Sequence, residues 1–406
     1  MPEEDDAEII SHVHQDPDSR SSIWAVRKCI PRLKDARVVL VSGRWNGEGM
    51  KSGSLAVDIP IGIKGEIQKV EGQKRIMNSA LKSVVSQYAT ARQAAAIKYF
   101  VEYINVLDSR GSPTNHLIPH ASGDARRIFS NVCFDGVMRA FERIHSDNEE
   151  IIFSRISEIL DGIYEMGLIG IPLENGISRD VADYLLSSYR QKTDAVLVKE
   201  VIRFFDLKAE HGHVADLMIS EASEETRKIF SKNSIDAVFA ALLYVHRNDT
   251  RVFFGRAFEI LDGFIKMDEM SAAAEAAADL VPRYTDGKLD PNGKVAFVKN
   301  RKQKGVGYAL RKRGVVIVVY VDGINIGVVV KGRPRYLRDG TRLTAGHPIF
   351  EDIVKTAGDP KGLWYLHIAE FLFCDGSEKA PTDTPSNVDP MDFVRGGCEL
   401  VNQLRE

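Results

Sequence analysis

Residues 88–166 align with residues 189–267 without a gap, at a constant offset of 101. Twenty-three of the 79 aligned positions are identical, among them Ile128, Phe129 and Ser130 against Ile229, Phe230 and Ser231, and 158–162 against 259–263. A chain that carries one supersecondary unit twice must bury the same apolar faces twice, so this repeat constrains the fold more than any other feature. Within each copy the apolar residues recur at helical spacing: Ile97, Phe100, Val101 and Ile104 in the first, Val198, Val201, Ile202 and Phe205 in the second. That spacing marks one face of an amphipathic helix. The pattern predicts four or five helices per copy, near 77–89, 92–107, 123–146 and 149–166, repeated 101 residues later. Ser122 and Ser223 precede acidic residues and read as N-caps. The alanine-rich stretch 271–280 predicts a closing helix.

The flanks differ in kind. Segments 38–42 and 54–59, with the glycine-rich GRWNGEG between them, predict a β-hairpin, and 294–330 alternates β-branched runs with glycine turns. Asp322-Gly323 between two such runs is a hairpin signal. Pro381, Pro385 and Pro390 mark an acidic linker before a helix near 391–404. The expected fold class is α+β, predominantly α-helical, with tandem duplicated helical lobes flanked by an N-terminal β-hairpin and a C-terminal basic β-rich segment. The expected domains are an acidic disordered tail at 1–20, a β-containing segment at 21–70, helical repeats at 77–167 and 178–282 (the second with its closing helix), the basic β-rich segment at 283–373, and the acidic linker with its helix at 374–406.

Hydrophobic residues at 44% and charged residues at 27% suit a globular chain. The longest apolar runs, 314–320 and 324–330, fall far short of the ~20 residues that span a bilayer, so no membrane insertion is expected. The acidic start lacks a secretory pattern, and Cys29, Cys133, Cys374 and Cys398 form no CxxC pair, which points to a reducing, cytoplasmic setting (or a virion, for a nucleoprotein).

Charge is the second informative feature. Residues 283–342 hold fifteen Lys or Arg against four Asp, a net of +11, which leaves −14 for the rest of a chain whose total is −3. The cations cluster as Lys299, Arg301, Lys302 and Lys304, then Arg311, Lys312 and Arg313, then Lys331, Arg333, Arg335 and Arg338, with Tyr308 and Tyr336 interleaved. Cations that neutralise phosphates and aromatics that stack on bases describe a nucleic-acid surface. The competing reading is a set of solvated hairpin tips facing acidic lobes. The sequence therefore supports a non-enzymatic, self-associating protein that binds RNA or single-stranded nucleic acid, of nucleoprotein or capsid type. The alternative is a helical-repeat scaffold for other proteins.

No motif names a reaction, and no cofactor, catalytic or metal site is expected. The stretch 43–52 ends in Lys51-Ser52 like a phosphate-binding loop, but Met50 precedes the lysine, Trp45 stands where the first glycine belongs, and a strand follows where a helix should. KGVGYAL at 304–310 matches part of an RNA-recognition signature by chance. His211, His213 and Asp216 lack a completing ligand. His145 and His246 occupy equivalent places and read as helix C-caps. Seven carboxylates and no Lys or Arg in residues 1–18 read as a solvated tail that competes for the basic segment.

Overall fold

In the computed structural model the described residues are 7–13, 15–41, 49–58, 69–70, 79–146, 148–191, 193–299, 305–332, 334–359, 364–366, 370–375 and 384–405. They are predominantly helical, with two sheets. The chain divides into two compact units, 1–268 and 269–406.

The first unit opens with β1 (Glu8–His12), α1 (Pro17–Cys29) and β2 (Arg37–Val41), followed by β3 (Leu55–Val57) and β4 (Lys69–Val70). All the strand pairs are parallel, in the order β2-β1-β3-β4. Two expectations fail here. The segments 38–42 and 54–59 do not pair with each other as a hairpin, because each pairs with β1, whose Ile9 and Ile10 are buried. The acidic tail expected over 1–20 is ordered structure from Glu8 onward: the acidic residues flank a short apolar strand, and Asp16 caps α1 by accepting the Ser19 N–H, with Pro17 at the first helical position. Residues 1–6 and most of GRWNGEG lie outside the described residues.

The helices of the first copy are α2 (Ala80–Tyr88), α3 (Ala91–Ala96), α4 (Lys98–Arg110), α5 (Pro113–Leu117), α6 (Gly123–Asn131), α7 (Phe134–Ile144) and α8 (Glu149–Ile169). Those of the second are α9 (Arg179–Arg190), α10 (Val196–His211), α11 (Val214–Met218), α12 (Glu224–Lys232), α13 (Ile235–Val245) and α14 (Thr250–Asp279). The starts of α5 to α8 and of α11 to α14 lie 101 residues apart, and Ser122 and Ser223 each cap the helix that follows by accepting an N–H three residues on. The closing helix expected at 271–280 is the end of the single 30-residue helix α14.

The two copies do not stand as separate lobes. One apolar core runs from Ile9 to Phe264 through both of them. Helix α8 packs on α13 of the other copy, so closely that a Cβ on Gly162 would meet the Ala241 carbonyl oxygen at 2.4 Å; a Cβ on Gly263 of α14 would meet the Ala140 carbonyl oxygen of α7 at 2.5 Å. The ion pairs reciprocate in the same way. Arg155 Nε lies 2.8 Å from Glu259 Oε2, and Arg256 Nε lies 2.8 Å from Glu158 Oε2. His145 and His246, at the C-caps of α7 and α13, face Glu259 and Glu158 respectively. At the centre, Phe134 N–H donates to Asn233 O and Ile235 N–H donates to Val132 O, while the Phe129 and Phe230 rings meet at 5.0 Å.

The second unit holds β5 (Arg283–Thr285), β6 (Lys288–Leu289), β7 (Val295–Lys299), α15 (Val306–Lys312), β8 (Ile317–Asp322), β9 (Asn325–Val330), α16 (Pro348–Thr356), β10 (Tyr365–Leu366), β11 (Leu372–Asp375) and α17 (Pro390–Asn402). They form one sheet, β10-β11-β9-β8-β7-β5-β6, in which only β7 and β8 run parallel, joined by α15. Residues 306–310, the end of KGVGYAL, are thus helical. The hairpin expected at Asp322-Gly323 is present, with Asp322 opposite Asn325. Phe393 and Val394 of α17 pack with Val295, Ile317 and Phe350 in the core of this unit. The division between the two compact units falls at 268/269, within α14. Among the described residues, no helix is long and apolar enough to cross a membrane.

Candidate metal centre and basic surfaces

Strands β1 and β3 are parallel neighbours, with Ile10 opposite Ala56. Two residues beyond that pair, His12 ends β1 and Asp58 follows β3, so the two side chains emerge together at the carboxyl edge of the sheet. His12 Nε2 lies 2.9 Å from Asp58 Oδ2. Asp16, in the turn between β1 and α1, brings a third donor: the ligand atoms of His12, Asp16 and Asp58 all lie within 4.8 Å of one another. The carboxyl edge of parallel strands, beside the first crossover helix, is where open α/β sheets hold their ligands. Asp58 has φ 54°, a left-handed backbone unusual for a non-glycine residue and common at functional sites.

Two further carboxylates bear on the cluster. Asp18, one helical position inside α1, is 2% exposed and accepts the backbone N–H groups of Ala80 and Leu81 at 2.7 and 2.9 Å. Desolvation, then the charge of Asp58, pushes the Asp18 carboxyl well above the ordinary aspartate range. The surrounding protein also raises Asp16, with Asp58 again the next cause, although Asp16 keeps an open side towards solvent. Asp108 of α4 is pushed up to about 6 by desolvation, then by Asp16 and Asp58. Among the described residues no Lys or Arg pairs with any of these carboxylates. Arg20, two residues from Asp18, is held by Glu142 and Glu149 at 2.5 and 2.9 Å.

An imidazole and several carboxylates, crowded together with no Lys or Arg paired to the carboxylates among the described residues and open on one side, form a donor set for a divalent cation that favours oxygen with some nitrogen, such as Mn²⁺ or Mg²⁺. His12, Asp16 and Asp58 would hold it. Asp18, tied at both oxygens to the start of α2, is built to fix the loop rather than to move. Asp108 is placed to hold or release a proton near neutral pH.

These residues escaped the sequence reading because they are scattered at 12, 16, 18, 58 and 108, and because the first three sit among tail-like acids. The signal that marks them is positional: Asp58 directly follows the apolar run Leu55–Val57, His12 comes two residues after Ile9-Ile10, and Asp16 precedes a proline-started helix.

The thirteen residues expected to form one nucleic-acid surface are not gathered in one place. Arg301, Lys302, Lys304 and Arg333 lie outside the described residues. Lys299 and Lys331 line an otherwise largely apolar cavity of about 760 Å³, together with Phe297, Tyr308 and Tyr320. Tyr308 is half exposed, with the Arg311 guanidinium 4.7 Å and the Lys312 ammonium 4.9 Å from its ring centroid. Lys312 and Arg313 pair with acids of α14, at 3.2 Å for Lys312–Glu275 and 2.9 Å for Arg313–Asp279. For that cluster the reading of basic groups facing acidic ones fits better than a phosphate surface. Arg335 and Arg338 line a second, more polar cavity of about 460 Å³, and Tyr336 is exposed between them. Of the other motifs, Asp216 is taken by Arg227 at 2.8 Å.

No family model, curated protein or solved structure matches this chain.

Proposed function

We propose that the chain is a divalent-metal-dependent hydrolase of phosphate esters, with nucleic acids or nucleotides as its substrate class. The observation that carries this reading is the grouping of His12, Asp16 and Asp58 at the carboxyl edge of β1 and β3, with the carboxyls of Asp18 and Asp108 both raised in part by the charge of Asp58. A metal held there lowers the pKa of a bound water and polarises a phosphoryl oxygen. The chain's own groups would do the rest: Asp18 fixes the β1–α1 turn through α2, and Asp108 exchanges a proton beside the reacting water. The substrate class is inferred from charge, since 283–342 carries +11 and includes Arg335 and Arg338, which form no ion pair among the described residues.

The test is turnover of bis(p-nitrophenyl) phosphate and of an end-labelled single-stranded oligonucleotide by chelator-stripped protein, with and without Mn²⁺ or Mg²⁺. Metal should switch activity on. Asp16→Asn and Asp58→Asn should each lower it by about 100-fold or more, because metal stabilisation of a transition state is worth several kcal/mol. Metal-independent turnover, or full activity in Asp58→Asn, defeats the reading. A second reading, a non-catalytic and self-associating binder of RNA or single-stranded nucleic acid, rests on the same unpaired arginines. Tight binding with no turnover under any metal would favour it.

A further inference from the structure

The 460 Å³ cavity of the second unit does not belong to the candidate metal centre and is built differently. Its wall brings together Lys294 from the start of β7, Arg335 and Arg338 from the loop after β9, and Arg405 from beyond α17. The backbone that delivers these side chains is tied down. Arg338 N–H donates to Gln403 O and Arg405 N–H donates to Tyr336 O, both at 2.8 Å, and isolated bridges join Tyr336 to Arg342 and Leu337 to Leu404. The loop and the segment after α17 thus form a small ribbon that points three guanidinium groups at one cavity.

The electrostatics are unbalanced. Among the described residues none of the four cations forms an ion pair, and the one acid in the wall, Asp286, is engaged by the side-chain amide of Asn402. Four cations repel one another unless an anion lies between them. Guanidinium groups match phosphate oxygens in geometry as well as charge. A cavity of this size holds one small ligand rather than a length of strand. From this we infer that Lys294, Arg335, Arg338 and Arg405 form a binding site for the polyphosphate group of a nucleotide. Two or three linked phosphates supply the charge that a lone phosphate lacks. The inference shares Arg335 and Arg338 with the choice of substrate class above and makes no use of the metal centre.

The full chain is titrated calorimetrically with ATP, pyrophosphate, adenosine and a single-stranded DNA 12-mer, at about 50 mM salt and with chelator present, so that hydrolysis plays no part. ATP and pyrophosphate should bind and adenosine should not. Arg335→Ala/Arg338→Ala and, separately, Arg405→Ala should each weaken ATP by at least about tenfold, as expected for lost charge-assisted phosphate contacts. Lys312→Ala, whose lysine is already paired, should leave it unchanged, and so should Asp16→Asn. Unchanged melting temperatures would show that the variants fold. Three results would overturn the inference: no binding of ATP or pyrophosphate, binding that survives the double variant, or DNA binding that ATP does not displace. Because Asp16→Asn abolishes turnover in the hydrolase reading but not ATP binding here, failure of one is distinguishable from failure of the other.

Discussion

At the scale of single residues, the carboxylates around His12 show how a protein can raise its own requirement for a cation. Asp18 is desolvated and among the described residues accepts two backbone N–H groups, while Asp16 is raised partly by Asp58, and Asp108 partly by Asp16 and Asp58. Protons therefore compete with metal, and metal binding should release them. A sign follows for stability. A carboxyl raised on folding contributes stability that is complete below its unfolded value of ~4 and is lost as the pH rises through the folded value, which for Asp108 is about 6. Metal-free wild type should lose melting temperature relative to Asp108→Asn between about pH 4 and about pH 6.5. Adding Mn²⁺ at the higher pH should restore it. A wild type that gains on Asp108→Asn over that range contradicts the assignment. No reading of spacing alone reaches this cluster, because five positions between 12 and 108 become neighbours only through the parallel pairing of β1 with β3 and the packing of α1.

At the scale of elements, legibility depended on how local the determining contacts are. Ser122 and Ser223 cap helices, and Asp322-Gly323 turns a hairpin, through contacts within a few residues, so the sequence shows them. Strand β1 was hidden because only two of its five residues, Ile9 and Ile10, are strongly apolar, and its partners lie beyond α1 and beyond 54. Removing residues 1–20 should therefore not tighten nucleic-acid binding by removing a competing tail, as a disordered tail would. It deletes a strand with neighbours on both sides, and the truncated protein is expected to be insoluble or to lose its cooperative melt, checked by calorimetry. Close approach of helices gives a second test. Gly162→Ala places a methyl group on the Ala241 carbonyl, and Gly263→Ala does the same at Ala140. Each should cost about 1–3 kcal/mol, the usual penalty for overpacking a filled core. The two costs should resemble each other, whereas Gly255→Ala, which meets nothing, should be neutral or stabilising. Equal stability of all three would remove the case for matched interfaces.

At the scale of the whole molecule, the repeat was visible but its arrangement was not. Identity at a fixed offset specifies equal helices; it does not say whether each copy packs on itself or on the other. The reciprocal approaches of Gly162 to Ala241 and Gly263 to Ala140, and the pairs Arg155–Glu259 and Arg256–Glu158, answer that in favour of exchange. The basic segment shows the reverse case. Its net charge was legible, but the fold distributes it between an apolar cavity, a polar cavity and acid-paired positions on α14.

The exchange between copies also fixes an order of events during synthesis. Helix α8 packs on α1, α3 and α7 as soon as it is made, but the part of its surface that meets α13 stays uncovered until α13 has been made, and α13 ends at Val245. At a typical elongation rate of about 5–20 residues per second, the nascent chain carries that face uncovered for about 4–15 seconds. In that interval a second nascent copy offers the same surface that the chain's own later half will supply. Translation on crowded polysomes should therefore favour pairing between chains, and slowing the ribosome between 170 and 245 should raise the yield of dimers and aggregates while leaving the finished monomer unaltered.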